Sequence, residues 1–265
     1  MPIISKRKLI TNVAAYAPAV SAFTPASLTG LVAWYDASIY ASMTKVGGGT
    51  LASGDQIATW ADQGPNGYTL TGGGAAPPLY QSTGFNTTKP TVSWPGDGPR
   101  GFVTSTTVNK FNSGSAASLF VVGRINATGL DNGARIAGFA VTGSANDTGG
   151  ADMIFLFNNG GSLSSYAAGV VGSVAYSTGT DYRFGVALNA SDSDIYLNNT
   201  ATDDVGGGTT FTSTGAIAVG IRQQSNVASD ITFSGVMSEV IIGNAVWSAA
   251  DFTNLYNYAG TKWGL

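Results

Sequence analysis

Histidine and cysteine are both absent from this chain, glutamate occurs once, and charged residues make up only 10% of 265 positions. Without histidine or cysteine, the Ser-His-Asp and Cys-His nucleophile systems cannot be built, and zinc or haem sites ligated by those residues are excluded. The lack of cysteine also rules out a disulfide framework, yet leaves the compartment open, because many secreted and viral β-proteins lack it too. A net charge of -3 provides no broad basic face, so no nucleic-acid partner is expected. No apolar run reaches the ~18 residues that a membrane-crossing helix needs, so no membrane partner is expected either.

What the chain has in quantity is glycine, at 37 positions, together with short segments rich in Val, Ile, Phe, Tyr and Thr. Segments of this kind, separated by Gly, Asn, Asp and Pro clusters, predict an antiparallel all-β domain, and this length is commonly a single sandwich. The expected strands are 31–36, 56–60, 91–94, 118–125, 135–141, 153–158, 182–189, 194–198, 216–221 and 231–242. Within one of them Tyr182, Phe184, Val186 and Leu188 alternate with Arg183, Gly185 and Ala187, which puts the large side chains on one face. Glycine triplets at 47–49, 72–74 and 206–208 read as turns, since they lack the Lys-Ser/Thr of a phosphate loop.

One helix is signalled, over 248–260. Ser248 can cap it, Asp251 follows three positions later, and Gly260 marks its end. Phe252, Leu255, Tyr256 and Ala259 form one stripe at helical spacing, for packing against the sandwich. Residues 1–29 read as an extended arm, and 30–265 as the domain. The arm joins the basic run Lys6, Arg7 and Lys8 to Leu9 and Ile10, and Pro18 and Pro25 oppose a long helix. It imitates a secretion signal, but Thr11, Asn12, Tyr16 and Pro18 are too polar for a signal core. A segment that buries so little of its own apolar surface is expected to dock on a partner surface.

Several motifs together resemble the laminin-G-like, concanavalin A-like jelly rolls of bacterial surface proteins and phage virion proteins. They are Gly30-Leu-Val-Ala-Trp-Tyr-Asp-Ala-Ser38, Trp60-Ala-Asp-Gln-Gly-Pro-Asn-Gly67, and Lys89-Pro-Thr-Val-Ser-Trp-Pro-Gly-Asp97. The tail is the nearest in pattern: Phe233 to Asn244, then the capped helix, Tyr258 and Lys262-Trp-Gly264. The resemblance implies a two-sheet antiparallel jelly-roll sandwich with one C-terminal helix. It also implies calcium or a glycan near a loop rim, where Asp36, Asp62, Asn66 and Asp97 are the candidate oxygens. No other cofactor is implied.

Relatives of this fold include retaining glycosidases, which need two carboxylates roughly 5 Å apart. Here Glu239 sits in a strand pattern as a hydrogen-bonding residue, and Asp192, Asp194, Asp203 and Asp204 have turn or edge neighbours. No catalytic centre is therefore expected. Trp34, Trp60 and Trp94 read as core, Trp247 and Trp263 as pins for the helix, and Tyr68, Tyr80, Tyr166 and Tyr176 as loop rings able to stack on a sugar. The leading functional expectation is a non-enzymatic virion structural protein, a capsid decoration or tail appendage. It would display a lectin-like sandwich and join other virion subunits, or further copies of itself, through Lys6 to Ile10. The alternatives are a secreted or cell-surface carbohydrate-binding module, and a polysaccharide-cleaving enzyme that uses Asp alone.

Overall fold

The alternating apolar pattern produces nineteen strands and one α-helix among the residues that the computed structural model describes. Those residues are 22–111, 116–126, 134–141, 153–159, 161–167, 170–189, 193–204, 215–224 and 227–265. In chain order the first strands are β1 (Leu31–Asp36), β2 (Met43–Lys45), β3 (Ile57–Trp60), β4 (Leu70–Gly74), β5 (Leu79–Phe85), β6 (Lys89–Pro95) and β7 (Arg100–Thr104). Then follow β8 (Ala117–Ile125), β9 (Ala134–Val141), β10 (Met153–Asn159), β11 (Ser162–Ala167), β12 (Val170–Ala175) and β13 (Asp181–Leu188). The last are β14 (Ser193–Leu197), β15 (Thr200–Asp204), β16 (Gly215–Val219), β17 (Ile221–Gln224), β18 (Val227–Thr232) and β19 (Ser234–Gly243), before α1 (Ala249–Trp263).

The first sheet runs β15-β14-β13-β8-β19-β6-β5, with β1 also paired to β19, and the second runs β12-β11-β10-β9-β16-β7-β4-β3-β2. A separate hairpin joins β17 to β18. Every pairing is antiparallel, as the sequence predicts. β19 is the centre of the first sheet: one edge pairs with β8, and the other with β6 through 234–237 and β1 through 239–243. All ten of its residues are buried, because both faces are covered.

The inner face packs on the second sheet, where Tyr35 meets Trp60 at 5.7 Å and Trp94 meets Phe102 at 6.1 Å between ring centroids. The outer face carries α1, whose Phe252, Leu255, Tyr256, Ala259 and Trp263 cluster with Phe120, Val122, Val236 and Ile241. Gly185 and Ala187, the small face of β13, lie under this helix; a Cβ on Gly185 would come within 2.7 Å of the Phe252 ring. Ser248 and Asp251 form the expected capping box.

Strands β2, β4, β5, β7, β11, β12 and β15 have no counterpart among the expected ones, and four expected features take another form. The triplet 72–74 is not a turn but part of β4, paired with residues 100–102 of β7. Glycine is needed there for close approach: a Cβ on Gly72 would meet the Ile57 carbonyl at 2.4 Å, and one on Gly74 the Pro99 carbonyl at 2.3 Å. The segment 216–221 breaks at Gly220, where φ is +70° and a Cβ would strike the Trp94 indole. The segment 231–242 breaks at Phe233, whose ring turns inward to Trp94 at 5.6 Å. Finally, α1 continues past Gly260 to Trp263, and the left-handed cap is Gly264. The triplet 206–208 lies outside the described residues.

Candidate functional site

The sole glutamate lies where the tail crosses the first sheet. Pairing of β19 with β8 shifts register between Met237 and Glu239, and Glu239 sits on the helix side, fully buried. Its Oε1 accepts from Trp34 Nε1 at 2.7 Å, Tyr258 Oη at 2.9 Å and Lys262 Nζ at 3.0 Å. Its Oε2 accepts from Trp263 Nε1 at 2.6 Å. Lys262 Nζ also donates to Asp36 Oδ2 at 2.5 Å and to Tyr258 Oη at 2.8 Å. The ammonium lies 4.9 to 5.7 Å from the ring centres of Trp263, Tyr258 and Trp34, within cation–π range. Burial pushes the Glu239 carboxyl above the ordinary range, and Lys262 pulls against that shift. Tyr258 is raised strongly, by burial first and then by the neighbouring Glu239 charge.

Two carboxylates touching one ammonium are close enough for the roughly 5 Å pair of a retaining glycosidase, but the cation fills the space a sugar would need. Asp36 and Glu239 are both buried, and Asp36 Oδ1 is taken by Ser38, from both its N–H and its hydroxyl. This arrangement ties β1, β19 and α1 together.

The carboxylates of the three candidate rim aspartates face hydrogen-bond donors, and Asn66 itself donates. Asp36 is held by Ser38 and Lys262. Asp62 Oδ1 accepts from the N–H groups of Trp34 at 2.8 Å and Gly64 at 2.6 Å, and its Oδ2 from that of Tyr68 at 3.1 Å. Burial still pushes its carboxyl up, against those N–H groups. Asn66 Nδ2 donates to the Val32 carbonyl at 2.8 Å, and Asp97 forms a two-point pair with Arg100. Asp62 and Asn66 both grip β1, whereas Asp97 sits after β6. As arranged, the set does not fit a calcium ion, because its carboxylates are directed at N–H, O–H and ammonium donors. Among the described residues no three His, Cys, Asp or Glu side chains come together.

The aromatic expectations divide. Trp60 and Trp94 are core, but Trp34 faces α1 and is only partly buried. Trp247 and Trp263 pin the helix from both ends, Trp247 donating to the Thr29 carbonyl at 3.1 Å. Tyr68 and Tyr80 belong to the core, Tyr176 is partly buried, and the Tyr166 side chain lies outside the described set. The side chains of Asp203 and Asp204, the whole of Asp192, and Lys6, Arg7, Lys8, Leu9 and Ile10 also lie outside it.

Sequence reading missed a groove of about 480 Å³ beside α1, lined by Ala22, Phe23, Thr24, Asn254, Asn257, Tyr258, Thr261 and Lys262. Phe23 meets Tyr258 edge-on at 6.2 Å. A second groove of about 480 Å³ runs past Gln63, Gly64 and Pro65, and a smaller one of about 220 Å³ past Ser105 and Thr107. The polar face of the helix was legible in its spacing. Its aromatic wall was not, because Phe23 arrives from the far end of the chain.

No family model and no curated protein matches this chain. Its fold is similar to domain 4 of AbnA, an extracellular arabinanase of Geobacillus stearothermophilus, in complex with arabinotriose. That match has a TM-score of 0.57 and 13% identity, over 86% of this chain and 98% of that one. The binding domain of Paraclostridial Mosquitocidal Protein 1 matches at a TM-score of 0.58 and 10% identity, over 86% of this chain and 52% of that domain. A Trypanosoma rangeli sialidase in complex with sialic acid matches at 0.54 and 13% identity, over 87% of this chain; the chain spans about a third, 33%, of that enzyme. At such identities the likeness is one of fold.

Proposed function

We propose that this chain is a non-catalytic carbohydrate-binding sandwich of a secreted or cell-surface protein. The observation that carries the non-catalytic part is the state of Glu239: the only glutamate is fully buried and accepts four hydrogen bonds, with the nearest carboxylate locked to the same lysine. A general acid or nucleophile must reach its substrate, and neither group has an open face. Support for carbohydrate as the ligand comes from the fold shared with an arabinotriose-bound domain and a sialic acid-bound enzyme. The virion setting rests on the sequence resemblance to phage virion proteins and on the arm, and these neighbours support the binding-module alternative better.

Titration calorimetry of the full chain against arabinan, xylan, glucan and sialoside oligomers is the test. The expected result is binding of at least one class with no release of reducing ends. Silence across the panel would remove the carbohydrate reading, and turnover lost on an Asp-to-Asn change would restore the enzyme alternative.

A further inference from the structure

The groove beside α1 has the chemistry of a sugar site of a particular kind. Asn254, Asn257, Tyr258 and Thr261 stand at i, i+3, i+4 and i+7, so they share one face of the helix. The two asparagine amides are exposed and enter no hydrogen bond with the other described residues; each offers two donors and an acceptor, the complement of a sugar hydroxyl. Tyr258 and Phe23, with ring planes at 71° to each other, make an apolar corner against which the C–H face of a sugar ring can be buried.

Among the described residues, Lys262 is the only cation lining this groove. An ammonium has three N–H donors. Those of Lys262 meet Asp36 Oδ2, Glu239 Oε1 and Tyr258 Oη, and none remains for a ligand carboxylate. Behind the ammonium stand the two carboxylates themselves. A uronic or sialic acid entering here would give up hydration of its anion without gaining a charged partner.

On the reading of the chain as a carbohydrate binder, we propose that this groove is the binding site and that it takes neutral saccharides in preference to acidic ones. The test uses the full chain and the N254A/N257A double variant. Alanine favours helix at both exposed positions, so the fold is retained, as an unchanged melting temperature would verify. Both proteins are titrated with neutral arabino-, xylo- and gluco-oligosaccharides and with oligogalacturonate and sialyllactose.

The wild type should bind a neutral oligomer at least tenfold tighter than either acidic one, and the double variant should lose at least tenfold of that affinity. Binding that survives unchanged in the variant would overturn the site while leaving the carbohydrate reading intact. Acidic sugars binding as tightly as neutral ones would overturn the neutral preference. Absence of binding to both panels would sink this inference together with the reading beneath it. A changed sedimentation coefficient in the variant with unaltered sugar affinity would assign the groove to a second copy of the chain, which also overturns the proposal.

Discussion

The two faces of the first sheet are held by different physics, and their tryptophans show the difference. Between the sheets, Trp60 and Trp94 are completely buried, and their indole N–H groups find no partner among the described residues. Under α1, the indoles of Trp34 and Trp263 both donate to Glu239, and Trp247 donates to a backbone carbonyl. The inner layer is held by burial and ring packing, which are non-directional. The outer layer adds to its ring packing a directional network centred on Glu239 and Lys262, so it specifies where the helix sits as well as that it sits.

The largest effect should follow from breaking the outer network at its cation. Lys262→Met keeps the length of the side chain but leaves Asp36 and Glu239 buried together without a positive charge. Losing one partner of a buried ion pair costs about 3–5 kcal/mol; the lysine is 20% exposed, which places this change at the lower end. Urea denaturation should show the loss, and a variant as stable as the wild type would mean that the network contributes nothing net.

A matched pair of substitutions sharpens the contrast. Trp263→Phe and Trp94→Phe delete the same atoms from two fully buried rings, but only the first removes a donor to a buried carboxylate. The first should therefore cost more, by about 1.5–3 kcal/mol, the usual worth of a hydrogen bond to a charged group. Equal losses for the two would show that the layers are not held differently after all.

How much of this was legible depends on the range over which each interaction acts. The alternation in β13 and the Ser248 cap are local patterns, and both stand in the structure as read. The resemblance in the tail rested on the run from Phe233 to Asn244 and on Lys262-Trp263-Gly264 as separate motifs; the fold joins Glu239 and Lys262 in one ionic cluster with Asp36, which lies 226 residues from Lys262. No local pattern encodes that meeting. Glycines 72–74 were misleading for a related reason: their lack of a side chain reads as turn chemistry, while its use is to admit backbone from Ile57 and Pro99. Asp36 ends β1 and Asp62 and Asp97 lie beyond strand ends, but which donors they face is set by β1, Lys262 and Arg100, and sequence spacing does not show it.

Gly185 offers the smallest and most local way to test the outer layer. It lies on the helix-facing side of β13, where Tyr196 stacks on Phe252 at 4.1 Å and fills the space beside it. A Cβ there would sit 2.7 Å from Phe252 Cε1 and 3.2 Å from the Tyr196 Cβ, closer than packed carbons allow. Its backbone is not in the left-handed region, so alanine meets no conformational penalty, and the whole cost must come from overpacking. Gly185→Ala should therefore push Phe252 away from the sheet and destabilise the protein by about 1–2 kcal/mol. The loss should be carried by α1: hydrogen exchange should quicken in 249–263 and leave the strands between the sheets protected. Uniform loss of protection would show instead that the helix and the inner core unfold as one unit, and the division between the two layers would then be structural but not energetic.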